Sequence, residues 1–160
     1  MQKSDSQSLF VIRRAELDDA LALQQLYRQL QPNDPILDEA EFSRHLQQII
    51  GRDGLEIFVL ESAGHIASTC YLNIIPNLTR SAKPYAVIEN VVTDEAARGR
   101  GFGKRVIRYA IEQAWAAGCY KVMLMTGSKE ASTHSFYQAC GFSGDEKHAY
   151  ILRGPQDFAN

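Results

Sequence analysis

The chain has 160 residues, 45% of them hydrophobic, which suits one core-forming domain over residues 1–160 and leaves no room for a second catalytic domain. Its 17 Lys and Arg against 19 Asp and Glu give a formal charge of −2, so no overall field draws it to nucleic acid or to an anionic membrane, and any anion site must be local. The opening MQKSDSQSLF lacks the apolar core of a signal peptide and no apolar run approaches membrane-spanning length, so a cytoplasmic protein with no membrane partner is expected.

Leu9 to Arg14 reads as a first strand, followed by a helix from about Asp18 with Leu23, Leu26, Tyr27 and Leu30 on one face, broken by Pro32 and Pro35. A second helix opens at Asp38, with Glu41 three residues on as in a capping box, buries Phe42, Leu46 and Ile49, and stops at Gly51. The runs Leu55 to Glu61 and His65 to Ile75, joined by Ser62-Ala63-Gly64, predict an antiparallel hairpin closed by Pro76. After the polar loop NLTRSAK, Tyr85 to Thr93 is apolar on both faces, as a central strand is. Helical periodicity returns through Val106, Ile107, Ala110, Ile111 and Ala114 to Gly118. Tyr120 to Thr126 is the next strand, Ser128 opens a helix to about Cys140, Gly141 ends it, and HAYILR (His148 to Arg153) predicts a last strand. The predicted order is βααβββαβαβ. Cys70, Cys119 and Cys140 are odd in number and lack metal-ligand spacing, so buried, reduced thiols are expected, with neither disulfide nor metal.

The segment with chemistry in it is ARGRGFGKRVI, Ala97 to Ile107, between the central strand and a helix. A strand that passes through Gly99, Gly101 and Gly103 into a helix aims unpaired first-turn N–H groups at one point, and the helix terminus adds partial positive charge. Arg98, Arg100 and Lys104 add full charges. The plain alternative is a solvated basic turn. A dinucleotide fingerprint would need glycine where Lys104 stands, and a P-loop would need Ser or Thr where Arg105 stands.

The spacing Arg98, Gly101, Gly103 satisfies R-x-x-G-x-G, and SFYQACGF supplies a helix with Phe-Tyr that ends in Gly-Phe. With IENVV ahead of the loop, the chain resembles the GCN5-related N-acetyltransferase (GNAT) superfamily over nearly its whole length, and is more weakly similar to glucosamine-6-phosphate N-acetyltransferases. The resemblance implies an α/β GNAT fold, a mixed and mostly antiparallel sheet flanked by helices. It implies that the backbone of Gly99 to Lys104, with Arg98, Arg100 and Phe102 in the loop, cradles the pyrophosphate of acetyl-CoA. It also implies that the central strand parts from its neighbour and offers Val91, Val92 and Thr93 to the pantetheine arm. One departure is visible: a family helix that often begins N-x-x-A has Glu130 and Thr133 at those places.

The implied activity is direct acetyl transfer to a primary amine in a ternary complex, and it sets three tasks: a neutral amine, a stabilised oxyanion and a protonated leaving thiolate. Glu89 is the candidate base, and period-2 alternation puts it on one face with Val91; orienting the acceptor is its alternative role. The backbone N–H near Val91 is the expected oxyanion donor. Tyr137 aligns with the family's general acid and is otherwise a core aromatic. His134 and His148 are expected to be surface or structural. The acceptor groove in this fold is lined by QPNDPILD, by PNLTRSAKP and by the turn before the last strand; Arg80, Lys83 or Arg153 could meet an acceptor phosphate. A small-molecule or peptide amine, with no nucleic acid, is the expected partner, and a homodimer is possible. A non-catalytic acyl-CoA sensor on the same fold is the competing reading, which needs neither Glu89 nor Tyr137.

Overall fold

The computed structural model describes residues 9–154; the stretches 1–8 and 155–160 of the expected single domain lie outside them. Four strands pair in chain order as an antiparallel meander, β1 (Phe10–Arg14), β2 (Leu55–Ser62), β3 (His65–Ile75) and β4 (Tyr85–Thr93). A fifth, β5 (Val122–Leu124), runs parallel to β4 and pairs only with Ala86–Ile88. The expected mixed, mostly antiparallel sheet is present, in the order β1-β2-β3-β4-β5.

Both faces of the sheet are covered, which is why its middle strands read as continuous apolar runs. On one side α1 (Ala20–Leu30) and α2 (Glu39–Ile50) bring Leu23 and Leu46 down on Ile57 and Val59. On the other, α4 (Phe102–Ala116) buries Phe102, Val106, Ile107 and Ala110 against Phe58, Leu72 and Ile88, with α5 (Ala131–Ala139) beside it. Local chemistry sets the ends. Asp38 Oδ1 accepts from the Glu41 N–H at 2.8 Å and caps α2. In the β2–β3 hairpin, Ala63 and Gly64 both have positive φ, the conformation a tight two-residue turn requires. Asp19, in a short 3-10 turn that delays α1 to Ala20, takes Arg13 Nη1 at 2.7 Å and the Glu16 N–H at 2.7 Å.

Two expectations need correcting. The loop NLTRSAK holds a single turn, α3 (Thr79–Ala82), in which Arg80, Ser81 and Ala82 are all left-handed. And His148 to Arg153 forms no strand: the segment has no backbone partner among the described residues, and Tyr150, Ile151 and Leu152 stand in solvent. Alternating β-prone residues show readiness to pair, whereas a strand exists only where another strand's N–H and C=O groups face it. Among the described residues, no helix is long and apolar enough to cross a membrane.

Candidate active site

The site is made by a break in β4. Its pairing with β5 ends at Ile88 and Leu124, so from Glu89 to Thr93 that edge of the strand is open. On the β3 side the register slips between Thr69 and Tyr71, and Asn90 takes φ 50°, a bulge that leaves an extra residue on β4. The bulge overturns the alternation argument. Glu89 lies opposite Tyr71, which packs on the α1/α2 side, whereas Val91 packs on the α4 side. Glu89 and Val91 therefore sit on opposite faces. Asn is the non-glycine residue best suited to left-handed backbone and is depleted in strands, so Asn90 inside an apolar run was the available sign of the bulge.

Beyond β4, the glycine loop leads into α4. Gly99 (φ 77°) and Gly101 (φ 75°) are left-handed, and a Cβ built on either would meet nothing within 4 Å. Gly103 is needed for a different reason: its Cβ would lie 2.9 Å from Thr93 Oγ1 and 3.3 Å from the Phe136 ring. This close approach lets α4 start tight against the end of β4. No side chain caps α4, and the first intrahelical bond at this end is Arg105 N–H to Gly101 O at 3.2 Å, so the N–H groups of Phe102, Gly103 and Lys104 have no helical partner.

These amides face a cleft of about 700 Å³. Its walls are β4 (Val91, Val92, Thr93), the glycine loop and α4's first turn, the end of α1 (Gln29, Leu30), and α5 (Phe136, Tyr137). Gln29 ties the α1 wall in place, its Oε1 accepting from the Glu95 N–H at 3.0 Å. A smaller cleft of about 230 Å³ lies on the α1/α2 side, lined by Asn90, Tyr27, Arg28, Asp34 and Phe42 among others. Leu30 lines both, so the two meet near the bulge.

Of the residues expected here, Val91, Val92, Thr93, Arg98, Gly99, Gly101, Phe102, Gly103 and Lys104 line the larger cleft, as does Tyr137. Arg100 does not: its guanidinium stacks 4.7 Å from the Phe102 ring centroid. Arg98 is largely engaged within the loop, donating from Nε to Thr93 O at 3.3 Å and lying 3.8 Å from Glu95. Lys104 is thus the cation of this loop best placed for a ligand. Glu89 lines neither cleft, and neither do Arg80, Lys83 and Arg153. Gln29, Leu30, Ser132, Thr133 and Phe136 are cleft residues that sequence reasoning missed, because they come from helices whose approach to β4 is a tertiary fact.

Tyr137 is half-buried between Phe136 and Phe142. Burial raises its phenol pKa, with smaller contributions from Cys140 and from the charge on Glu89, so the hydroxyl keeps its proton through the neutral range and can donate it. His134 instead contacts Ser128 O at 2.9 Å on the surface, and His148 is exposed. The three thiols are free, and burial raises the pKa of each, to about 12 for Cys70. None is a thiolate at neutral pH.

Comparison with known proteins fits this geometry. The model of the Acetyltransferase (GNAT) family matches residues 23–142. A curated relative, glucosamine 6-phosphate N-acetyltransferase 1 of Oryza sativa subsp. japonica, is 34% identical over 120 residues, 73% of this chain and 70% of that protein. The Arabidopsis thaliana glucosamine 6-phosphate N-acetyltransferase is 32% identical over 84% of this chain and 90% of its own. Among solved structures, a putative acetyltransferase from Agrobacterium tumefaciens str. C58 superposes with TM-score 0.85 at 45% identity, covering 89% of this chain and 99% of that one.

Proposed function

Because the chain belongs to the GNAT acetyltransferase family and is an N-acetyltransferase, we propose that it moves the acetyl group of acetyl-CoA directly to a small primary amine while both are bound. The observation that carries this reading is the larger cleft itself. Its floor is glycine backbone with open space above, uncapped amides at the start of a 15-residue helix point into it, and Lys104 and Tyr137 stand on its walls. That set of donors fits a pyrophosphate at one end and an acyl thioester at the other. Acetyl-CoA supplies the activated acyl group, and the protein binds it, orients it and handles protons.

In this reading the amides of Phe102, Gly103 and Lys104 hold the pyrophosphate. The unpaired edge of β4 from Val91 to Thr93 holds the pantetheine arm and gives an N–H to the developing oxyanion. Tyr137 delivers its proton to the departing thiolate. Glu89, beside the bulge and the smaller cleft, promotes loss of a proton from the bound amine, directly or through water. A lysine-like amine of pKa about 10.4 is protonated at pH 7, a handicap of roughly 4 to 5 kcal/mol that a nearby carboxylate offsets in part, and an amino-sugar amine, made less basic by its neighbouring oxygens, carries a smaller one. The smaller cleft, with Arg28 and Asp34 in its lining, supports a small polar acceptor over a protein surface. The names of the curated relatives make glucosamine 6-phosphate the first acceptor to test.

Saturating acetyl-CoA raises the melting temperature in this reading, since a ligand that binds only the folded state stabilises it by about 2.7 kcal/mol at a hundredfold excess over Kd. Thermal denaturation with and without acetyl-CoA checks this, and no shift together with no calorimetric binding removes the cleft assignment. A screen of amines for CoA release then identifies the acceptor. Glu89→Gln lowers the rate chiefly below the acceptor's pKa and recovers as pH rises, because hydroxide substitutes for the missing base. A loss equal at every pH assigns Glu89 to orienting the acceptor instead.

A further inference from the structure

A group of side chains that neither cleft uses stands at the starting end of β4. Tyr85 opens that strand and Tyr120 comes just before β5, and their rings meet edge-to-face with centroids 6.4 Å apart. Lys121 Nζ lies 5.2 Å from the Tyr85 centroid and 5.4 Å from that of Tyr120, and the Arg80 guanidinium carbon lies 5.9 Å from the latter. Lys83, exposed, shortly precedes Tyr85. Among the described residues, none of these three cations forms an ion pair. Stacking on an aromatic face fixes a guanidinium plane and leaves the N–H groups of its edge for a carboxylate.

The turn that carries Arg80 is a second anomaly. Arg80, Ser81 and Ala82 have φ of 57°, 59° and 57°, whereas residues other than glycine visit left-handed backbone singly. The contacts that hold the turn are few. Asn77 Nδ2 donates to Thr79 O at 3.1 Å and Oγ1 at 3.0 Å, and the Lys83 N–H donates to Arg80 O at 3.3 Å. Strained backbone persists where its surroundings over-determine it, and these exposed contacts do not.

We propose that this surface docks a carboxylate-rich segment of a partner protein, whose Asp and Glu side chains pair with Arg80 and Lys121 and hold the left-handed turn. Charge complementarity selects such a partner, since three unpaired cations gather here on a chain whose formal charge is −2. Leu78, 96% exposed, and the two tyrosines add the apolar and aromatic contacts that interfaces favour. A single-stranded nucleic acid fits less well. Its bases need open aromatic faces, and here the chain's own cations lie over both rings. Both clefts take residues of β4 only from Asn90 onward, so this docking does not rest on the acetyl-transfer reading.

Calorimetric titration of the full chain with a peptide of about twelve alternating Asp and Glu residues, at about 20 mM and about 200 mM salt, tests this independently of any activity. The expected result is saturable binding that weakens at least about tenfold at the higher salt, with the amides of residues 80–83 exchanging at least about tenfold more slowly in the complex. The double variant Arg80→Ala, Lys121→Ala should bind at least about tenfold more weakly, and Arg80→Glu, a charge reversal on an exposed turn, should lose binding with unchanged circular dichroism. The charge-matched control Arg105→Ala, Arg108→Ala on α4 should keep wild-type affinity. No saturable binding up to about 1 mM peptide overturns the proposal, as does an equal loss in the two double variants. So do amides of 80–83 that exchange alike with and without peptide, or an oligothymidylate of the same length that binds more tightly at equal salt.

Discussion

A Tyr137→Phe variant turns over roughly 10²-fold more slowly than the wild type, a loss of about 2.7 kcal/mol of transition-state stabilisation. The substitution removes one hydroxyl and leaves the ring, which lies 5.2 Å from the Phe136 centroid and 6.5 Å from that of Phe142, so its packing survives. Affinity for acetyl-CoA should be nearly unchanged, because the proposed pyrophosphate site is the glycine loop and the first turn of α4 rather than α5. The phenol's pKa is raised, by burial above all, so the acid is fully protonated at and below neutral pH, and the loss should be constant across that range. Steady-state kinetics with a calorimetric Kd for acetyl-CoA separates the two quantities. Wild-type kcat in a folded variant would leave solvent as the proton source.

Gly101→Glu should weaken acetyl-CoA on the order of 10³-fold. Two terms combine. A non-glycine residue at φ 75° costs about 1 to 2 kcal/mol of backbone strain. The new side chain also projects into open cleft, where nothing lies within 4 Å to hold it elsewhere, and it brings negative charge to the amides proposed to hold the pyrophosphate. Like charges about 4 Å apart near a protein surface repel by about 4 kcal/mol, which is the expected loss of affinity. Gly101→Ala isolates the strain: a lower melting temperature with acetyl-CoA affinity largely kept. Equal affinities for wild type and Gly101→Glu would show that the loop does not hold the anion. Gly103 predicts a different failure, because a side chain there strikes Thr93 and Phe136 and moves α4 itself.

Most of the framework was legible in the chain because it rests on local chemistry. The Asp38 cap, the Ala63-Gly64 turn, the apolar stripe of α4 and the glycine loop each depend on residues within a few positions of one another, and spacing alone exposes them. The GNAT resemblance rests on three such local segments, R-x-x-G-x-G, SFYQACGF and IENVV, and the family model matches residues 23–142.

The rest depends on partners distant in sequence. Alternation placed Glu89 with Val91, but the register of β3 against β4 slips by one residue at Asn90, and a single slip exchanges faces for everything beyond it. Arg100 read as a loop cation, and only the fold shows it stacked on Phe102. HAYILR read as a strand, yet whether a neighbour is there to accept its hydrogen bonds depends on where β5 ends and what lies beside it. Which segments are apolar and where glycine permits left-handed backbone are local properties of the chain, and they fix the loop, the helices and the family. The tertiary structure alone decided that β4 opens after Ile88, that α1 and α5 close the cleft, and which face Glu89 occupies, because such facts arise from pairing between segments whose separation along the chain leaves no local trace.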